Sequence, residues 1–146
     1  MKILFLSRSN SCRSQIAEAI LRNIDKNLEI YSAGLDPVTH IEPIAIEVMA
    51  EIGIRIEQKK PENFSKFASM EFDILITVGD GTAEELHLPA VKAKRKMHLG
   101  FRNPFTYSDD PEEIKAICRE IRDEIQTELS YFYYRIILKE AEKSSC

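Results

Sequence analysis

The chain has little cysteine. Three occur in 146 residues, at Cys12, Cys118 and Cys146. They are widely spaced, form no CxxC pair, and give no zinc-finger spacing with His40, His87 or His98. This argues against a disulfide-stapled scaffold and against a structural metal. The histidines stand singly and read as solvated or hydrogen-bonded bystanders. Tryptophan is absent, and five glycines and six prolines leave no low-complexity linker. No apolar run approaches the roughly 18 residues of a membrane span, and MKILFL lacks the basic region and cleavage site of a secretory leader. Positive charge is not in surplus either. A formal net charge of −4 speaks against a general nucleic-acid binder. The expectations are a cytoplasmic protein with no cofactor and neither membrane nor nucleic acid as partner.

What is present suits one domain spanning residues 1–146. The chain is long enough for a core, and 44% of it is apolar. Residues 2–6 form a short apolar run that ends in a polar loop, as a buried strand does. Ile16, Ile20 and Ile24 place an amphipathic helix over residues 14–25. Residues 28–32 read as a second strand, closed by Ala33 and Gly34. Pro43 opens a helix with Ile44, Val48 and Ile52 on one face, stopped at Gly53. Residues 73–78 form a third strand with Gly79, Asp80 and Gly81 as its exit turn, and residues 95–99 a fourth. Lys92, Lys94, Arg95 and Lys96 read as a solvated edge, with an acidic partner or nucleic acid as the lesser reading. Strands alternating with helices predict a three-layer α/β sandwich, with a four-stranded parallel sheet and helices on both faces. In such sheets ligands sit beyond the strand carboxyl ends, so residues 7–13, 79–82 and 100–107 should converge.

From about residue 110 the pattern is one extended helix. Asp109, Asp110, Pro111, Glu112 and Glu113 supply cap, first-turn proline and acidic start. Ile114, Ile117, Ile121, Ile125, Leu129, Phe132 and Ile136 form its apolar stripe. Helical through Lys143, it would span about 50 Å, against about 35–40 Å for a domain of this size. Its end is therefore expected to project, bend or fray. Tyr131, Tyr134 and Leu138 add a second apolar face. Two readings stand: aromatics scattered on a loose tail, or a surface for a homodimer.

The loop of residues 7–13, Ser7-Arg8-Ser9-Asn10-Ser11-Cys12-Arg13, carries the chemistry. A strand-to-helix loop can turn successive backbone N–H groups inward as a nest, and the following helix adds the positive end of its dipole. Arg13 can fork two hydrogen bonds onto a phosphate-like oxyanion. Asn10 tolerates the left-handed backbone a tight nest needs, and Ser11 and Ser14 can brace the loop.

This stretch resembles the C-x5-R-S phosphate loop of low-molecular-weight protein tyrosine phosphatases and thioredoxin-coupled arsenate reductases. Residues 10–18 (NSCRSQIAE) are similar to the reductase version. The similarity continues through Tyr31-Ser32-Ala33-Gly34, residues 50–54, residues 91–101 and Arg122-Asp123-Glu124-Ile125. It covers roughly residues 1–130. The resemblance implies a four-stranded parallel sheet with helices on both sides. It also implies that Ser7 stands at the nucleophile position and Asn103 at the general-acid position. Arg8, Ser9, Asn10, Ser11, Cys12, Arg13 and Ser14 would then hold the anion, with Phe105 and Tyr107 as the aromatic rim. Ser9 replaces the family's usual glycine, and Cys12 matches a second loop cysteine placed beside the anion.

Both catalytic positions differ from the family pattern. A thiol can be brought below neutral by a helix N-terminus and a cation. An alcohol stays protonated even under the largest environmental shifts, about 3–5 units. A serine nucleophile needs an adjacent base, and residues 7–13 contain no histidine or acid. An amide at Asn103 cannot deliver a proton, which forfeits about 10²–10⁴ in rate. The reductase relay would require two further cysteines on residues 77–86, and there are none. The expectation is a catalytically degenerate member that binds phosphate, sulfate, arsenate or a phosphorylated protein. The alternatives are residual phosphatase activity (or a trapping variant of such an enzyme) and a scaffold with a vestigial pocket.

Overall fold

The computed structural model describes residues 1–80 and 90–139. Gly81, Thr82, the rest of the relay segment to Leu86, His87, Lys143 and Cys146 lie outside the described residues. Strands β1 (Lys2–Ser7), β2 (Glu29–Gly34), β3 (Glu71–Gly79) and β4 (Lys92–Gly100) alternate with helices α1 (Arg13–Ile24), α2 (Pro43–Ala50) and α3 (Pro111–Phe132). Every strand pair is parallel, in the order β2-β1-β3-β4. The parallel α/β sheet read from the alternation is the observed fold.

Central β1 shows why these residues form a sheet. Its side chains alternate between the two faces. Ile3 and Phe5 join Ile16 and Ile20 of α1 and Ile121, Ile125 and Leu129 of α3. Leu4 and Leu6 pack with Phe64 and Phe67 of the 3₁₀ helix Phe64–Phe67. Among the described residues, that short helix is what covers the second face. Helix α2 packs beside α3, with Val48 against Ile114 and Cys118.

Element ends depart from the sequence reading where backbone pairing decides them. β4 starts at Lys92 rather than residue 95, because its ladder with β3 runs from Glu71–Lys92 to Gly79–Gly100. The basic run therefore lies within the edge strand, with Lys92, Lys94, Arg95 and Lys96 exposed. Lysines on an edge discourage pairing by a foreign strand. α2 ends at Ala50, and Gly53 at φ 80° closes the chain back, with the Ile54 N–H donating to the Met49 carbonyl.

The start of α3 matches its reading: Asp110 accepts from the Glu112 N–H, with Pro111 in the first turn. The last residues expected of the helix, 140–143, lie outside the described residues. A π-helical turn, Tyr133–Ile137, continues it, and the Tyr133 hydroxyl donates to Asp25 at 2.7 Å, fixing it to the end of α1. A π turn holds more residues than an α turn, so the buried position after Phe132 falls on Ile137 instead of Ile136. Tyr131 and Tyr134 are exposed and Leu138 is half-buried. No helix among the described residues is long and apolar enough to cross a membrane.

Candidate anion-binding site

β1 ends at Ser7 and α1 begins at Arg13, so the loop crosses the carboxyl end of the sheet. Its shape follows from what its carbonyls do. The Ser7 carbonyl accepts from Leu35 N–H, Arg8 from Asp36, Ser9 from Val38, Ser11 from Glu42 and Cys12 from Ile16. The Asn10 carbonyl accepts from Gln15 Nε2. Every carbonyl from Ser7 to Cys12 is thus bonded to the surrounding chain. In a trans peptide the next N–H points opposite the carbonyl, and no cis bond occurs among the described residues. Each N–H of residues 8–13 therefore points away from the contact that holds the carbonyl before it, the orientation a nest requires. The Asn10 N–H shows the direction directly by donating to Ser7 Oγ at 3.1 Å.

Asn10 is the pivot. It is fully buried and carries φ 54°, the left-handed backbone expected of it. Its Oδ1 accepts from Gln15 Nε2 and from the Glu62 N–H, both at 3.0 Å. A peptide N–H can only donate, so the amide orientation is settled. Its Nδ2 therefore faces Ser14 Oγ, at 2.9 Å. Ser14 in turn shares a 2.8 Å hydrogen bond with Ser7 Oγ. Ser9 and Ser11 hydroxyls pair across the turn at 3.0 Å. Gly34, at the end of β2, lets the loop come close: a Cβ there would lie 2.9 Å from the Arg8 carbonyl oxygen.

The loop encloses a cleft of about 70 Å³ lined by Ser7, Arg8, Ser9, Ser11, Cys12, Arg13, Ser14, Asn103 and Phe105. The expected convergence of loops is observed for the described residues. Arg13 Nη1 donates to Asp80, just after β3, and to the Phe101 carbonyl, just after β4. Asn103 caps the 3₁₀ helix Pro104–Thr106, its Oδ1 accepting from the Phe105 N–H at 3.0 Å. Tyr107, expected at the rim, stands outside the lining and is 64% exposed. Ser7 lies 7% exposed at the floor. The bonding partners described for its hydroxyl are a peptide N–H and another hydroxyl, neither of which is a base.

The sequence reading missed the supports of the loop: Gln15, Glu62, the Asp80 contact to Arg13, and Cys118 beside Cys12. The signal for Asp80 was its place in the turn after the third strand. Gln15 stands one residue beyond Ser14 in a helix whose other face is core, and it is fully buried despite its polarity. The neighbouring Cys118 thiol and burial push the Cys12 thiol well up, while Cys12 pulls the Cys118 thiol down against burial, which raises it. No group of three or more His, Cys, Asp or Glu side chains that could hold a metal occurs among the described residues.

Comparison with known proteins gives a consistent picture. A family described as low molecular weight phosphotyrosine protein phosphatase matches residues 2–143. The arsenate reductase of Halalkalibacterium halodurans is 31% identical over 131 residues, covering 89% of this chain and 93% of the relative. A solved arsenate reductase in its phosphate-binding state superposes with TM-score 0.73 at 23% identity, over 92% of this chain and 98% of that one. A mutant of YwlE arginine phosphatase, with cysteine changed to serine and the active-site serine phosphorylated, superposes with TM-score 0.68. It is 19% identical and covers 93% of this chain and 97% of that one.

Proposed function

The chain belongs to the low molecular weight phosphotyrosine protein phosphatase family, and from that membership we propose that it is a catalytically degenerate member that binds a tetrahedral oxyanion between β1 and α1. The guest is phosphate, sulfate, arsenate or the phosphoryl group of a partner protein. The observation that carries the reading is the outward bonding of every carbonyl from Ser7 to Cys12, which points each N–H of residues 8–13 away from those contacts, as a nest requires. An arsenate reductase of the same fold in a phosphate-binding state is in keeping with it.

Each residue has a distinct part. The amides of residues 8–13 coordinate the anion, the Asn10 N–H through Ser7. Arg13 has Nη1 held by Asp80 and Phe101 and offers its remaining N–H edge to the guest. Ser14 receives the Asn10 amide and shares a hydrogen bond with Ser7; with Ser14 as its donor, the Ser7 proton faces the guest. Phe105 supplies an apolar wall. Ser7 does not attack, because nothing bonded to it can take its proton. Asn103 spends its oxygen on the cap and has no proton to give a leaving group.

Titration calorimetry with inorganic phosphate tests this. Saturable binding, weakened about 10–100-fold by Arg13→Ala, is the expected result for loss of a charge-assisted pair. Unchanged affinity in that variant overturns the reading.

One observation favours a second reading, residual phosphoryl transfer to Ser7. The YwlE mutant carries phosphate on a serine. Incubation with an aryl phosphate or phosphoarginine, followed by intact-mass measurement, separates the two. A single phosphoryl group on Ser7, absent from Ser7→Ala, supports the second reading. Continuous phosphate release that stops in Ser7→Ala removes the degenerate one.

A further inference from the structure

Acidic residues outnumber lysine and arginine in this chain, 24 to 20. Two adjoining cavities beside β2 reverse that balance. One, of about 490 Å³, is bordered by Arg22, Lys59, Lys60 and Lys66. The other, of about 500 Å³, is bordered by Arg22 and Lys59 again, with Lys26 and Arg55. Among the described residues the acids of the combined lining are Glu18 and Glu62.

Glu18 sets the geometry. Its side chain is 3% exposed and accepts from Arg22 Nε at 2.8 Å, from Ser32 Oγ at 2.6 Å and from Lys59 Nζ at 2.5 Å. Arg22 Nη2 is held by the Ile30 carbonyl. One buried carboxylate thus fixes two cations on the wall common to both cavities. A single negative charge cannot neutralise both, and Arg22 and Lys59 stay partly exposed. Arg22 Nη1 has no partner among the described residues, and the exposed Lys60 has no ion pair among them. Lys66 is paired with Glu62 at 3.3 Å.

We propose that these cavities are a second anion site, separate from the loop, which takes a linear polyphosphate group laid across the Arg22–Glu18–Lys59 bridge. Every phosphoryl of such a chain carries charge, so one ligand meets cations of both cavities. A single phosphate sits in one cavity alone. An acidic peptide in extended form turns alternate side chains to opposite faces, which directs half its charge away. Arg22 offers Nη1 to phosphate oxygens, a charge-assisted contact. It is already held in place, so little further ordering is needed on binding. The wall also braces the loop through its backbone: the Lys60 carbonyl accepts from Gln15 Nε2, and the Glu62 N–H donates to Asn10 Oδ1. A side-chain change at Lys60 leaves that bracing in place.

The test uses the full chain carrying Arg13→Ala, so that the loop lacks its cation, titrated with sodium tripolyphosphate by calorimetry at about 0.15 M KCl. Saturable one-to-one binding is expected, with inorganic phosphate much weaker. Adding Lys60→Glu should weaken tripolyphosphate at least about tenfold, the scale of a hydrogen bond to a charged group, with the melting temperature unchanged. Adding Lys96→Glu instead makes the same charge change on β4, at the opposite edge of the sheet from β2. It should have little effect, because salt screens exposed charges beyond about 8 Å. ATP binding as tightly as tripolyphosphate assigns recognition to the phosphate chain alone, and tighter binding of ATP assigns it to a nucleoside polyphosphate; both uphold the site. No saturable binding, equal losses from Lys60→Glu and Lys96→Glu, or tighter binding of hexaglutamate overturns the proposal. None of these outcomes depends on whether the loop holds phosphate.

Discussion

Arg13 Nη1 donates to Asp80 Oδ1 at 2.9 Å, so the cation at the head of α1 already has an anion of its own. The Asp80 side chain is half-exposed and sits just beyond β3, while Arg13 is mostly buried. A guest oxyanion in the loop must share the guanidinium with this carboxylate and accept its repulsion. Asp80→Asn should therefore tighten phosphate binding. Exposed pairs are worth roughly 0.2–1 kcal/mol, so the gain should be at most about fivefold by calorimetry. Weaker binding in that variant would mean that Asp80 orients Arg13 rather than competing at it.

Gly34 lies where β2 passes beneath the loop. An added Cβ meets the Arg8 carbonyl oxygen at 2.9 Å and Asn10 Cβ at 3.1 Å. Backbone oxygen cannot swing aside as a flexible side chain would. Overpacking of this kind costs about 1–3 kcal/mol. Gly34→Ala should lower the denaturant midpoint and weaken phosphate binding together, because the strain lands on the loop itself. A variant with native affinity and stability would show that the loop can retreat without losing its shape.

How much of this was legible follows from how local each feature is. Strands, helices and caps were readable because apolar periodicity, Pro111 and Asp110 act within a few residues. The loop and its left-handed pivot were readable because Asn10, Arg13 and the serines are contiguous. The bracing of Asn10 by Glu62 and the Arg13–Asp80 and Cys12–Cys118 contacts join distant segments that only the fold brings together. The π turn was hidden for another reason. Ile136 and Ile137 are identical residues side by side, and periodicity extended from Phe132 selects the wrong one. The resemblance assigned both Phe105 and Tyr107 to the rim; of the two, the 3₁₀ turn Pro104–Thr106 places Phe105 in the lining, while Tyr107 stands exposed beyond it.

Glu51, at the end of α2, holds α3 through Arg119 and Arg122. The Arg119 hydrogen bonds lead in lowering its carboxyl to about 2, with Arg122 adding to them. A depressed folded-state value means that the contribution is present above the ordinary glutamate range and is lost as pH falls toward 2. Glu51→Gln should thus lower the melting temperature at pH 7, and the gap to the parent should close between about pH 4.5 and 2. A gap that stays constant with pH would mean the carboxylate's charge contributes nothing there.

Restoring catalysis is the most demanding test, because it asks whether only two atoms separate this cleft from a working one. Ser7→Cys places a thiol where Asn10 N–H and Ser14 Oγ already bond, at the head of α1, the setting that favours a thiolate. Asn103→Asp keeps the oxygen that caps the turn at Phe105 and adds a proton donor facing the cleft. Aspartate caps about as well as asparagine, so the fold should tolerate the exchange. The double variant should hydrolyse an aryl phosphate, and Ser7→Cys alone should be slower by about 10²–10⁴, the usual share of an acid catalyst. If the folded double variant is inert while its cysteine titrates as a thiolate, the loop has diverged beyond its two missing groups, with Ser9 the first residue to revert.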